Sequence, residues 1–357
     1  MNRFPSHFYR LSSRLCYRLS SRLCFGKALP IGRAASLSRT CLSRNSIRLA
    51  AILLLAALPC SFGCTKFPGG PAETSYVWSR KGLDDGRFIK PRAIAIDQED
   101  QIFIVDKTAR IQVFDRDGKF IRNWRTPECY SGKPCGLQIS QNNELMVCDT
   151  HYFRVLFYTR EGEPLPELTI GGVNGRGPGE FGFVTDIVQD SKGNFYVAEY
   201  GDFDRIQKFN TDREFVYQWG QHGEAQGQFQ RPQGLAIDAN DHLWVADSSN
   251  NRIQVFDVSG DEPLFIKAWG KPGTQVGCLS YPYNMVLDGQ GHIFVCEYGN
   301  HRIQKFTLDG ESVGVWGSAG REPGQLNHPW SVCRDSTGDF HVVDAANHRI
   351  QRFAFDE

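Results

Sequence analysis

The chain has 357 residues with 36 Gly, 12% aromatic residues and three Met, a mix that suits many short strands and tight turns and argues against a helical bundle. Its formal net charge of zero hides a division: residues 1–48 carry ten Lys/Arg and no acid, leaving 30 basic against 40 acidic residues in the remainder. An acidic body repels phosphate backbones, so nucleic acid is not an expected partner.

The N-terminal part reads as an address rather than a fold. Tyr9 to Cys16 (YRLSSRLC) repeats unchanged as Tyr17 to Cys24, and is read as a non-structural leader. After Arg48 comes an apolar run of ten residues, Leu49 to Leu58, followed by PCSFGC ending at Cys64. Ten apolar residues are too few to span a bilayer but fit a signal-peptide core behind a charged segment. Gly63 and Cys64 resemble the end of a bacterial lipoprotein signal, in which the Cys is lipidated. The expectation is export, to the periplasm or cell surface, with a lipid anchor at Cys64 holding the protein to a membrane. Residues 1–64 are thus leader and signal, 65–73 a linker, and 74–357 one folded domain.

Within that domain one pattern recurs. Pro begins a short apolar stretch that ends in Asp; a polar turn and an apolar strand ending in an acid follow, then a loop, then Arg-Ile-Gln-x-Phe. The first copy reads Pro91 to Asp97 (PRAIAID), Ile102 to Asp106 (IFIVD) and Arg110 to Phe114 (RIQVF). The turn position is Asp97, Ser140, Asp190, Asp238, Asp288 and Asp335, and nine residues after each stands Asp106, Asp149, Glu199, Asp247, Glu297 or Asp344. Successive copies are separated by 43, 50, 48, 50 and 47 residues. Fixed spacing within a copy and variable spacing between copies mean invariant strands with one elastic loop. A period in the forties with strand-like alternation marks one four-stranded propeller blade per repeat, and six copies make six blades. A fourth strand ends near Trp124, Ile170, Trp219, Trp269 and Trp316. The sixth copy has none before Glu357, so the segment around Ser75 to Trp78 is expected to supply the outer strand of the last blade. The stretch Gly171 to Gly179 lacks the Lys-Ser/Thr ending of a phosphate loop and reads as an interblade turn.

The wording of the copies, above all Val245 to Phe256 (VADSSNNRIQVF) and Tyr298 to Phe306 (YGNHRIQKF), resembles the NHL repeat family over about residues 74–357 and all six copies. The resemblance implies an all-β, six-bladed propeller. On activity it is silent, because the family includes protein- and RNA-binding modules and some lyases.

The strand-end acids and the Arg residues Arg110, Arg154, Arg205, Arg252, Arg302 and Arg349 recur in every copy, which fits a scaffold bond per blade better than a single active site. Function is expected where the copies depart from their rule. The two residues after the repeat Pro are Arg92-Ala93, Thr185-Asp186 (by position), Gln233-Gly234, Tyr283-Asn284 and Trp330-Ser331, with Cys135-Gly136 in the second copy. Small residues are the rule at the second place, so Asp186 and Asn284 are exceptions, expected to face an open channel. Arg92, Tyr283 and Trp330 are large groups at its mouth, joined by His151, Tyr152, Tyr200, Asp202 and Tyr298 from neighbouring loops. Aromatics with a few charges around a funnel read as a recognition site for a small polar molecule, a sugar or a peptide or protein segment, on a monomeric propeller.

Two enzyme readings stand beside this one. Peptidyl-hydroxyglycine lyases of the family hold zinc on channel histidines, but Gln233 stands where such an enzyme carries His, and His151, His301, His328, His348, His242, His292 and His341 are scattered over loops and strand starts. A gluconolactonase-like hydrolase would hold a divalent cation such as Ca²⁺ in the channel, on Asp186 and Asn284 with Glu199 or Glu297 as a third oxygen ligand. Cys129 and Cys135 bracket a short loop and could pair in an oxidising compartment, whereas Cys148, Cys296 and Cys333 replace Val or Ala and read as packing thiols.

Overall fold

A computed structural model describes residues 76–130, 133–201 and 203–355. The leader, Cys64, the linker and Asp202 lie outside these residues. Six four-stranded antiparallel sheets follow the repeat. Blade 1 is Pro91–Ile96, Ile102–Asp106, Arg110–Phe114 and Phe120–Arg125, paired in that order. Blades 2 to 5 begin with the inner strands Gly136–Ile139, Phe183–Gln189, Pro232–Ile237 and Pro282–Leu287. Blade 6 takes Pro329–Arg334, Phe340–Asp344 and Arg349–Phe353 from the end of the chain and its outer strand, Tyr76–Trp78, from the start. There Tyr76 faces Arg352, Val77 faces Gln351 and Trp78 faces Ile350. Each inner strand neighbours the next, and the sixth returns to the first, so the ring closes.

The core lies between blades, which explains why the second strands are buried on both faces and the third strands largely so. Ile102–Asp106, Leu145–Asp149 and Phe340–Asp344 are buried throughout, whereas the outer strand Phe120–Arg125 alternates between partial and full exposure. Six apolar clusters fill the six junctions. One of them joins Trp78, Phe88, Ile94 and Ile104 to Val343 and Ile350 across the last and first blades. The loop that enters each blade but the second drives in one wedge: Phe88, Phe181, Phe229, Leu279 and Leu326 are all fully buried.

The repeated polar residues form the frame. Asp247 accepts the Gln230 N–H at 2.7 Å, Asn250 Nδ2 at 2.8 Å, Arg252 Nε at 2.8 Å and Gln254 Nε2 at 3.2 Å. Arg252 also donates to the carbonyls of Glu224, Ala225 and Gln228, tying the incoming loop to the blade. Glu297 with Arg302 and Asp344 with Arg349 repeat this arrangement, and Glu199 with Arg205 varies it by one residue. Asp238 accepts the N–H groups of Asn240 and His242, closing its polar turn, and Asp97, Asp190, Asp288 and Asp335 do the same in theirs. Gly171 to Gly179 lies in the loop between blades 2 and 3, where Asn174 bridges Phe181.

Candidate functional site at the channel mouth

The register of the first two strands slips just after the repeat Pro, between Pro91 and Ala93, Val184 and Asp186, Pro232 and Leu235, Pro282 and Asn284, and Pro329 and Val332. A bulge re-aims the side chains of the extra residues, and Pro tolerates the place because it has no N–H to leave unpaired. The bulged residues are Arg92, Thr185, Gln233, Tyr283 and Trp330. The local sequence thereby places its most variable side chains at one end of the channel.

These groups touch in a chain of rings and cations. His151, in the short turn Thr150–Tyr152, lies 5.0 Å from Phe183, which lies 5.3 Å from Tyr200. The Arg231 guanidinium carbon sits 4.8 Å over Tyr200 and 5.8 Å over Tyr283. Tyr283 stacks on Tyr298 at 4.4 Å and meets the edge of Trp330 at 5.0 Å. Arg92 lies 5.1 Å over Trp330 and reaches the Lys133 carbonyl at 3.4 Å, and His328 lies 4.6 Å from Tyr298. All six blades contribute. The Tyr152 ring lies under Arg154, which pairs with Asp149 and Glu128.

Beneath the mouth is a cavity of about 10 Å³, room for one water, lined by Cys135, Thr185, Asp186, Gln233, Asn284 and neighbours. At the other end of the inner strands the channel widens to about 290 Å³ among Met146, Leu235, Ile237, Met285 and Leu287. Gln138 lines the wider part and Asp186 the narrow part.

Asp186 does not face open solvent. It is 3% exposed, and its carboxylate accepts the Ile187 N–H at 3.0 Å and, from the next blade, the Leu235 N–H at 2.9 Å. Burial pushes its carboxyl up to about 7 against the pull of those two bonds. Asn284 does the same work two blades on, accepting the Val332 N–H at 3.0 Å. The other blades have small residues here because the neighbouring strand passes close: a Cβ on Gly234 would stand 2.6 Å from the Tyr283 carbonyl.

This geometry bears on the cation expected at Asp186 and Asn284. Each of the Asp186 oxygens and the Asn284 oxygen already holds a backbone N–H. Glu199 and Glu297, the expected third ligands, are fully buried against Arg205 and Arg302. Among the described residues no group of three or more His, Cys, Asp or Glu is gathered to hold a metal. As placed, these residues do not fit a divalent cation. Cys129 and Cys135 are both free thiols; Cys135 Sγ turns instead to Thr150 Oγ1 at 2.8 Å. Cys148, Cys296 and Cys333 are buried.

Burial raises the Tyr283 phenol to about 12 and also raises Tyr200, while it lowers His151, with Arg92 and Lys133 pushing the same way. Asp202 lies outside the described residues. Sequence reading missed Arg231, Phe183 and His328. A signal for two of them lies one residue earlier, because Lys90, Arg231, Tyr281 and His328 sit directly before or just before the repeat Pro with φ of 50°, 57°, 48° and 51°. Four bulky residues in a left-handed conformation at one repeated place point to a built feature.

The NHL repeat family model matches residues 229–256, 279–306 and 326–353. The chain is 30% identical over 189 residues to a peptidyl-glycine alpha-amidating monooxygenase A of Xenopus laevis, covering 51% of this chain and 19% of that protein. It is 27% identical over 164 residues to NHL repeat-containing protein 3 of Mus musculus, covering 43% of this chain and 46% of the relative. The chain thus spans less than half the length of either relative. A virginiamycin B lyase from Staphylococcus aureus shares the fold with a TM-score of 0.54 at 14% identity, over 79% of this chain and 99% of that one. The chain thus carries three matched NHL repeats, in its fourth, fifth and sixth blades, within a six-bladed β-propeller of like blades.

Proposed function

We propose that the protein is an exported binding module that seats a small polar molecule, a sugar or the end of a peptide on the aromatic and arginine mouth of its propeller. One observation carries this reading: the residues that depart from the repeat are the ones that meet, in a chain of rings and cations drawn from every blade. Aromatic faces with polar edges suit flat, partly polar ligands, and a preformed mouth costs little ordering on binding. Calorimetric titration of a panel of sugars, amino acids and short peptides into the protein tests it. At least one class is expected to bind the native protein and to lose that binding in Trp330→Ala. Binding that ignores Trp330→Ala sinks the reading.

The leader directs export and Cys64 carries the lipid, so the propeller works at a membrane surface as a monomer. Cys64→Ser should release the protein from the membrane fraction. Unprocessed protein in the cytoplasm would count against both.

A second reading, a hydrolase or lyase acting in the channel, is favoured by one feature. Asp186 is a channel carboxyl that titrates near neutrality, as acid–base chemistry requires. Turnover of a sugar lactone, abolished in Asp186→Asn and unchanged by added Ca²⁺ or chelator, would favour it over pure binding.

A further inference from the structure

Resting on the binding reading above, we infer that the mouth recognises a terminal carboxylate. The argument starts from the unused hydrogen-bonding groups. Among the described residues, the buried mouth atoms left without a partner are Arg231 Nε, Gln233 Nε2 and His151 Nδ1. The first two are donors only, and the third donates in one neutral tautomer. The acceptors nearby are engaged: Asp186 by Ile187 and Leu235, Asn284 by Val332. Gln233 is 6% exposed and lines the narrow cavity, so its idle amide is inside the site rather than on the surface. A buried donor without a partner costs stability, and a ligand that supplies the acceptor recovers it.

Charge points the same way. Arg92 and Arg231 form no ion pair with a described carboxylate; Arg231 lies on rings, and Arg92 on a ring with one long contact to a carbonyl. Both charges act on the Cys135 thiol and the Tyr200 phenol, and Arg92 also acts on His151, so the two guanidiniums share one neighbourhood at the mouth. This happens in a body with ten more acids than bases. The only described acid lining the cavity, Asp186, sits near 7 and is partly neutral at physiological pH.

Size sets the class of anion. The cavity under the rings has room for about one water, so a single carboxylate oxygen reaches into it while the rest of the ligand stays on the mouth. The rings of Tyr283, Tyr298 and Trp330 then meet an apolar or flat body next to that end group. A carboxylate on a small organic acid and the C-terminus of a peptide share this chemistry.

The test compares phenylacetate with phenylacetamide, its neutral isostere, and adds N-acetyl-Gly-Gly-Phe as the free acid, titrated into the full-length protein at low and high salt. Phenylacetate should bind, weaken with salt, and bind about ten-fold or more tightly than the amide. Binding of phenylacetate but not of the peptide acid assigns the site to small acids, and the converse to peptide ends. Arg231→Gln and Arg92→Gln should each weaken phenylacetate about ten-fold, and Gln233→Leu less, while Arg231→Lys keeps part of the affinity. Circular dichroism shows that the variants are folded. Equal binding of acid and amide, or binding of the acid only in Asp202→Asn because Asp202 already occupies Arg231, overturns the inference and leaves the binding reading standing. If neither phenylacetate nor the peptide acid binds but a sugar or an uncharged member of the panel does, the inference falls alone; if nothing binds, both fall.

Discussion

Arg252 and Arg231 lie 21 residues apart in blade 4 and use the same side chain in opposite ways. Arg252 gives its N–H groups to Asp247 and to three carbonyls. Arg231 lies across Tyr200 and Tyr283, with its Nε unbonded among the described residues. The first occurs in equivalent form in neighbouring blades, and the second occurs once. The fold consumes the Arg252 donors, whereas Arg231 at the mouth keeps a donor that the fold does not use. The contrast between frame and mouth can be tested at graded cost.

The largest effect should come from the seam of the ring. A protein beginning after Gly86 loses the Tyr76–Trp78 strand and exposes Arg349–Phe353. Trp78 is 5% exposed, packed on Phe88 and Phe114. Loss of a buried Trp alone costs about 3–5 kcal/mol, so the melting temperature should fall by on the order of 10 °C. An unchanged melting curve would mean that the blade closes by other means.

Next comes the frame. Asp247→Ala leaves Arg252 and Gln254 facing a missing partner inside the blade, at a cost of about 3 kcal/mol, read by urea unfolding. A loss no larger than that of an exposed acid such as Asp309→Ala would contradict the frame assignment.

How much of this could be read beforehand depends on how far apart the partners are in sequence. The ring was legible because each blade repeats its own acid and arginine, and every blade but the second a glutamine, close together in the chain. Arg92, Tyr283 and Trp330 were legible as mouth groups because they follow a Pro that marks the bulge. Asp186 was misread as open to the channel. Its decisive partner, the Leu235 N–H, lies 49 residues away on another blade, and nothing within blade 3 announces it. Asn284 and Val332, 48 residues apart, repeat that link two blades on, so the two exceptions form a class of interblade clips. The same distance hid the engagement of Glu199 and Glu297 from the cation reading.

Asp186 therefore sits on both sides of the contrast, and its variants sharpen it. Asp186→Ala should cost about 1–3 kcal/mol, because two buried N–H groups lose their acceptor. Its pH dependence has a definite sign. The folded carboxyl titrates at about 7 and the unfolded one near 3.8, so the folded state binds more protons between those values. Stability from this group is full below about pH 4 and is lost as pH rises through about 7. Relative to the native protein, Asp186→Asn should thus gain stability on going from pH 5 to pH 8. A difference that stays flat or shrinks would show that the carboxyl is charged throughout.

The smallest expected effect concerns clips on the mouth-side loops, where the blades supply their own control. Asp204 Oδ1 accepts the Arg231 N–H, Asn251 Oδ1 accepts the Tyr281 N–H, and His301 Nδ1 and His348 Nδ1 accept the N–H groups of His328 and Lys90, all at 2.9 Å. Four junctions share one bond, but only two use an imidazole, which accepts solely when neutral at Nδ1. Burial lowers both histidines, aided by His328 at one and by Lys81 and Lys90 at the other, while Asp344 and Asp106 pull the opposite way. A folded value below the unfolded one means that the bond contributes fully above the unfolded value, near 6.5, and is lost as pH falls through the folded one. Each bond is worth about 1 kcal/mol. Replacing both histidines by the residue blade 4 already uses, His301→Asn with His348→Asn, should leave stability at pH 8 nearly unchanged and reduce the loss on acidification to pH 5. The double variant keeps an acceptor at both junctions, so a persisting acid sensitivity of the same size would place the titration at other groups of the ring.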